Sequence, residues 1–171
     1  MWVIARPLSG FSETFSQYIV EVAPNGGSDK PELDAKAEAV LFVVEGEMDV
    51  TIEGETHHME AGGYAFLPPG CKWTLKNNSD THVKFHWIRK AYQYVEGIDV
   101  PEAFVTSDHE VEAIAMPDTN GVWKTTRFTE QSDMRHDMRR YAPICAGSKI
   151  TLICAGGYAQ VLIWAARGVV L

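Results

Sequence analysis

No aspartate or glutamate stands after Asp137, and no histidine after His136, in a chain of 171 residues. The last 33 residues, Arg139 to Leu171, therefore cannot by themselves supply carboxylate or imidazole ligands to a metal, or a paired-carboxylate acid–base centre. Cysteine is scarce: Cys71, Cys145 and Cys154 are odd in number and share no repeated spacing, which excludes a disulfide framework. Positive charge is also lacking. A formal net charge of −8 argues against a nucleic-acid partner and against adhesion to anionic lipid, both of which need a basic surface. The N-terminus, Met-Trp-Val-Ile-Ala-Arg-Pro, has no basic segment followed by a long apolar core, so no signal peptide is read and a cytoplasmic location is expected. No amphipathic stretch is long enough for a major helix, and there is no low-complexity segment.

What remains is an ordinary globular composition, 46 % hydrophobic and 22 % charged, in a length that suits one full domain and something smaller. Residues 14 to 23 are rich in β-branched and aromatic side chains and read as a strand that ends in the turn chemistry of Pro24-Asn25-Gly26-Gly27. Residues 28 to 38 read as a loop. Ala39 to Val44 is a short apolar run, the signature of a strand buried on both faces. After the Glu45-Gly46-Glu47 turn, Met48, Val50 and Ile52 alternate with Asp49, Thr51 and Glu53, as in a half-buried strand. Further strands are read near 56–60, 63–67, 72–76 and 82–90. Short strands at regular turns predict an all-β protein with an antiparallel barrel. Val43, Val50, Ile52, Phe66, Trp73, Phe85 and Trp87 are the expected core of that barrel. Segment 91–125 carries few strand signals and reads as a linker, and Thr125 to Met138 as the entrance to another folded unit.

Two spacings are informative. Gly62 is followed by five residues, then Pro68-Pro69-Gly70, then Cys71-Lys72, Trp73, three residues and Asn77. This resembles the second motif of cupin barrels, with Trp73 at the position of its histidine ligand. The first cupin motif spaces two histidines, a glutamate and a terminal glycine. With Gly46 as that glycine, Ala39 falls at the carboxylate position and Leu33 and Ala35 near the two histidines. Residues two apart on a strand point the same way, so ligands from several strands can converge inside such a barrel. Leu33, Ala35, Ala39 and Trp73 offer no metal donor, so no metal and no cofactor is expected here. An indole at position 73 would instead fill the interior.

Four ordered segments make the resemblance more specific: Phe15 to Gly27; Ala39-Val-Leu-Phe-Val-Val-Glu-Gly46; Gly62-Gly-Tyr-Ala-Phe-Leu-Pro-Pro-Gly70; and Trp87-Ile-Arg-Lys-Ala-Tyr-Gln-Tyr-Val-Glu-Gly97. Together they resemble the N-terminal barrel of the two-barrel (S)-ureidoglycine aminohydrolases. Met116-Pro-Asp118 and Ser132 to Met138 resemble the start of their second barrel. The resemblance implies a cupin jelly roll, release of ammonia from ureidoglycine in purine and allantoin breakdown, and manganese held in the second barrel by a Glu-x-His-x-x-x-His motif and a glutamine. No such motif follows Met138, so none of the family's site residues has a counterpart here and none is carried over as catalytic, cofactor-binding or metal-binding.

The expected organisation is a cupin barrel over 1–96, a linker and the start of a second cupin over 97–138, and an atypical tail over 139–171. Residues 150 to 166 are uncharged, but a membrane helix needs about 20 apolar residues, and Gly156-Gly157, Gln160 and Arg167 argue against one. The tail is read as irregular or poorly ordered, or as two short strands joined at Gly156-Gly157. Replacement of the second barrel by unrelated sequence, as a frameshift would do, gives a truncated relative that is inactive alone. The alternative is a metal-free cupin that holds a small ligand or dimerises, with homo-oligomers forming through the barrels. A different cupin enzyme is disfavoured by the missing donors at positions 33, 35, 39 and 73.

Other candidates are weaker. His82 and His86 are four apart on an expected strand and would share a face; His57 and His58 are adjacent and read as surface residues. Asp133, His136 and Asp137 suggest acid–base chemistry but are expected to be hydrogen-bonded or solvated. Cys71, beside Lys72, reads as a turn cysteine rather than a nucleophile.

Overall fold

The computed structural model describes residues 1–6, 15–115, 120, 124–129, 133, 135–136, 138–145, 148–155 and 159–164. The chain divides into two units, Met1–Ser107 and Asp108–Leu171. In the first, β1 (Trp2–Ala5), β2 (Phe15–Val22), β9 (Val83–Ala91), β4 (Ala37–Glu45), β7 (Gly63–Leu67) and β10 (Phe104–Ser107) lie side by side, in that order, in a six-stranded antiparallel sheet. A four-stranded antiparallel sheet has the order β3 (Gly27–Ser28), β8 (Trp73–Lys76), β5 (Glu47–Ile52) and β6 (Glu55–Glu60). The chain passes back and forth between the sheets, which is the all-β cupin jelly roll that the sequence predicts.

The period-2 pattern places the core between the sheets. Leu41 and Val43 of β4 and Phe85 of β9 face Val50 of β5, Met59 of β6 and Trp73 of β8, all buried in one cluster. Each such side chain contributes roughly 1.5–3 kcal/mol of burial. Of the expected core residues, Trp87 needs correction and Phe66 lies outside that cluster. Phe66 is buried, but on the opposite face of β7, stacked on Phe104 with ring centroids 5.9 Å apart. Trp87 is only half-buried, packed against the cluster's margin.

Gly46 and Asn77 explain two fixed positions of the motifs. Gly46 turns β4 into β5 with φ +78°, and a Cβ there would meet the His82 carbonyl oxygen at 2.6 Å. Only glycine combines that backbone angle with that approach. Asn77 is fully buried where β8 ends. Its Nδ2 donates to the carbonyls of Val22 (3.1 Å), Ala23 (3.2 Å) and Thr81 (2.7 Å), while its Oδ1 accepts from the Ser79 amide (3.0 Å) and hydroxyl (2.7 Å). One amide side chain thus ties the end of β2 to the turn between β8 and β9.

The first compact unit runs to Ser107. β10 pairs with β7, Phe104 opposite Phe66 and Ser107 opposite Gly63, so a segment expected as linker closes one edge of the large sheet. Its four half-buried residues lack the alternation that would have marked a strand. The second unit contains a five-stranded antiparallel sheet in chain order: β11 (Ala113–Ala115), β12 (Lys124–Thr126), β13 (Met138–Cys145), β14 (Ser148–Ala155) and β15 (Ala159–Trp164). β14 and β15 flank residues 156–158 and pair from Ala155 with Ala159 to Ile150 with Trp164, so the uncharged stretch carries strands. Among the described residues no helix is long and apolar enough to cross a membrane.

Candidate functional site

The motif positions converge. Leu33, Ala35, Ala39 and Trp73 all line one cavity of about 580 Å³ at the mouth of the barrel. Ala39 lies on the inner face of β4 and Trp73 on the inner face of β8, both buried, whereas Leu33 and Ala35 project from the loop between β3 and β4 and are exposed. Two strand positions and two loop positions thus meet at one cavity, with two methyl groups, an isobutyl group and an indole where the motif would place donors. These residues do not fit a divalent ion, which needs imidazole, thiolate or carboxylate ligands. Among the described residues no three His, Cys, Asp or Glu side chains form a group that could hold a metal ion.

Two of the carboxylates around this mouth, Glu32 and Asp34, are engaged locally. Glu32 Oε1 accepts hydrogen bonds from the Asp34 amide (2.8 Å) and from Arg89 Nη2 (2.7 Å). Asp34 Oδ1 accepts from the Lys36 amide (2.9 Å). Arg89 projects from the inner face of β9, opposite Ala39, with its guanidinium carbon 5.7 Å from the centroid of the Trp87 ring. Trp87 meets Trp73 edge-on at 6.2 Å and Tyr18 at 5.4 Å. Sequence reasoning missed this arginine and these aromatics as a group. The signal available was the period-2 placement of Trp87 and Arg89 on β9.

Cys71 lines the same cavity and is half-buried. Burial, reinforced by the nearby Glu53 charge, pushes its thiol up to about 11, so it is not activated as a nucleophile.

The other candidates are dispersed. His82 is exposed and precedes β9, whereas His86 is buried on the outer face of the large sheet with Nδ1 3.4 Å from Gln17 Nε2. They do not share a ligand set. His57 is half-buried rather than at the surface, because it lies opposite Val50 on the core-facing side of β6. His58 is exposed, with Nδ1 2.9 Å from Asp49 Oδ1 and Nε2 3.7 Å from Glu47 Oε2. The Asp49 hydrogen bond and the surrounding carboxylates hold the His58 imidazole above its ordinary value, and the same bond lowers Asp49. In the second unit the Arg135 guanidinium and backbone amide hold Asp133 down at about 2, and His136, which is buried, approaches it at 3.7 Å. A carboxylate committed to arginine in this way is a poor proton acceptor. Asp137 lies outside the described residues.

Residues 18–89 match the cupin domain family. The (S)-ureidoglycine aminohydrolase of Escherichia coli (strain K12) is 30% identical over 95 residues, which are 56% of this chain and 36% of that protein. Among solved structures, a candidate glyoxylate-induced protein from Pseudomonas aeruginosa has TM-score 0.79 and 62% identity, over 83% of this chain and 53% of that one. The E. coli protein Ylba has TM-score 0.71 at 24% identity over 82% and 53%, a likeness of fold. The chain spans about half the length of these two solved relatives and about a third of the curated one.

Proposed function

We propose that residues 1–107 are the non-catalytic barrel of a two-barrel protein related to (S)-ureidoglycine aminohydrolase, and that this chain alone does not release ammonia from ureidoglycine. The observation that carries this reading is the convergence of Leu33, Ala35, Ala39 and Trp73 on one cavity, where a catalytic cupin would present metal ligands. The 30% identity to the E. coli aminohydrolase supports the choice of family, and the likeness to a glyoxylate-induced protein is compatible with it.

Hydrolysis of ureidoglycine replaces an amino group on carbon by the hydroxyl of water and releases ammonia. An enzyme must activate that water and protonate the departing nitrogen. The cavity offers neither an imidazole nor an activated thiol for these steps, and its Glu32 is tied to Arg89. Residues 138–171 contain no carboxylate side chain and no histidine.

The test is an ammonia-release assay on the purified chain with added manganese. No manganese-dependent turnover above the uncatalysed rate is the expected outcome. Turnover that rises with manganese and saturates with ureidoglycine would overturn the reading, because a working site would then exist among residues assigned structural roles.

A further inference from the structure

One buried N–H donor of the barrel lacks an acceptor, and a second beside it meets its carboxylate off-direction. Trp87 Nε1 and Arg89 Nε are closed off from solvent, and neither has a hydrogen-bond partner among the described residues. They are two apart on β9 and project to the same inner face, opposite Leu41 and Ala39 of β4. Buried donors are nearly always paired, and leaving one unpaired is costly, so Trp87 Nε1 calls for an acceptor.

The partner present is an imperfect one. Glu32 Oε2 stands 2.6 Å from Arg89 Nε, yet neither atom makes a hydrogen bond of good direction, so only Nη2 to Oε1, at 2.7 Å, is a hydrogen bond. A guanidinium fork matches a carboxylate that meets it with two parallel bonds. Glu32 comes from the loop between β3 and β4 and lines the cavity, as does Trp73, whose ring abuts Trp87. Arg89 and Trp87 thus each contact a residue that lines the cavity.

We propose that the barrel binds a small monocarboxylate at Arg89 and Trp87, and that Glu32 is an internal carboxylate which this ligand displaces. One ligand oxygen takes Arg89 Nη2 in place of Glu32. The other takes Arg89 Nε and the Trp87 indole N–H, and the apolar remainder rests against Ala39, Leu67 and Trp73. Displaced Glu32 swings outward with its loop. The inference is independent of whether the chain hydrolyses ureidoglycine.

The experiment titrates the full chain with acetate and glyoxylate, and with acetamide as the neutral analogue, by calorimetry and by the indole N–H signals in nitrogen-15 NMR. Both carboxylates are expected to saturate a single site and to shift the Trp87 signal, identified through Trp87→Phe, while acetamide does neither. Glu32→Gln removes the competing charge and is expected to tighten glyoxylate by about threefold or more, and Arg89→Leu to weaken it by about tenfold or more. Should Arg89→Leu fail to fold, Glu32→Gln decides, since a purely structural Glu32–Arg89 pair would not bind ligand more tightly when broken. Carboxylates binding no better than acetamide, an unmoved Trp87 signal, or unchanged or weaker binding by Glu32→Gln would each overturn the proposal.

Discussion

The two sheets of the first unit bury different numbers of faces. Ala37 to Val43 of β4 and all five residues of β7 are buried without interruption. In β5, by contrast, buried Met48, Val50 and Ile52 alternate with exposed Glu47 and half-buried Asp49 and Thr51. The inner rows of both sheets share one core. The outer row of the large sheet, including Val40, Tyr64, Phe66 and Ile88, is buried as well. The outer row of the small sheet is held by polar contacts, such as Thr51 to Thr56 hydroxyls at 2.9 Å and His58 to Asp49. A sheet covered on both faces needs apolar residues at every position, and one covered on a single face needs them at every other.

The largest effect is expected at the row both sheets share. Trp73→Ala empties a buried site between them and should cost roughly 3–5 kcal/mol in urea unfolding. A loss under about 1 kcal/mol would mean that the indole is not packed as described. The sharpest contrast comes from paired outer-row substitutions. Val40→Thr places a hydroxyl on the buried outer face and should cost about 1–2 kcal/mol, whereas Thr51→Val on the small sheet should stay within about 0.5 kcal/mol. Equal costs would break the distinction between the sheets. The smallest effect belongs to the exposed His58–Asp49 pair, worth at most about 1 kcal/mol. His58 is raised, so its contribution is full below its ordinary 6.5 and fades as pH rises through the folded value; Asp49 is lowered, so its contribution is full above its ordinary 3.8 and fades as pH falls through the folded value. The cost of His58→Ala should therefore be greatest between those two values and shrink on either side, and Asp49→Asn should weaken that pH dependence, leaving the part owed to Glu47 and Glu60. A cost that is flat with pH would show that the pair is solvated apart.

The same difference between the sheets governs what could be read from residues alone. β5 announced itself by alternation, and β4 by an unbroken apolar run. In β7, Tyr-Ala-Phe-Leu is buried on both sides, so nothing in the pattern tells which of Phe66 and Leu67 faces the other sheet. β1 and β10 escaped because edge strands bury little: Trp2, Val3 and Ile4 are exposed. β3 has only two residues, too few for any period. At the cavity, the positions of Leu33, Ala35, Ala39 and Trp73 were legible from glycine and proline spacing, because turns fix strand register. The Glu32–Arg89 contact was not, since it joins residues 57 apart in sequence through a loop of no regular pattern.

Asn77 makes the barrel a lever with one fixed end. Its five hydrogen bonds fasten the place where the chain leaves the large sheet after β2 and returns to it before β9. The cavity opens four residues away along β8, about 13 Å at the rise of a strand. A tilt of the two sheets by about 5° around that corner shifts the Trp73 end by only about 1 Å, and the Asn77 end hardly at all. Any change in the angle between the sheets would thus be felt at the mouth, while the far end keeps its register.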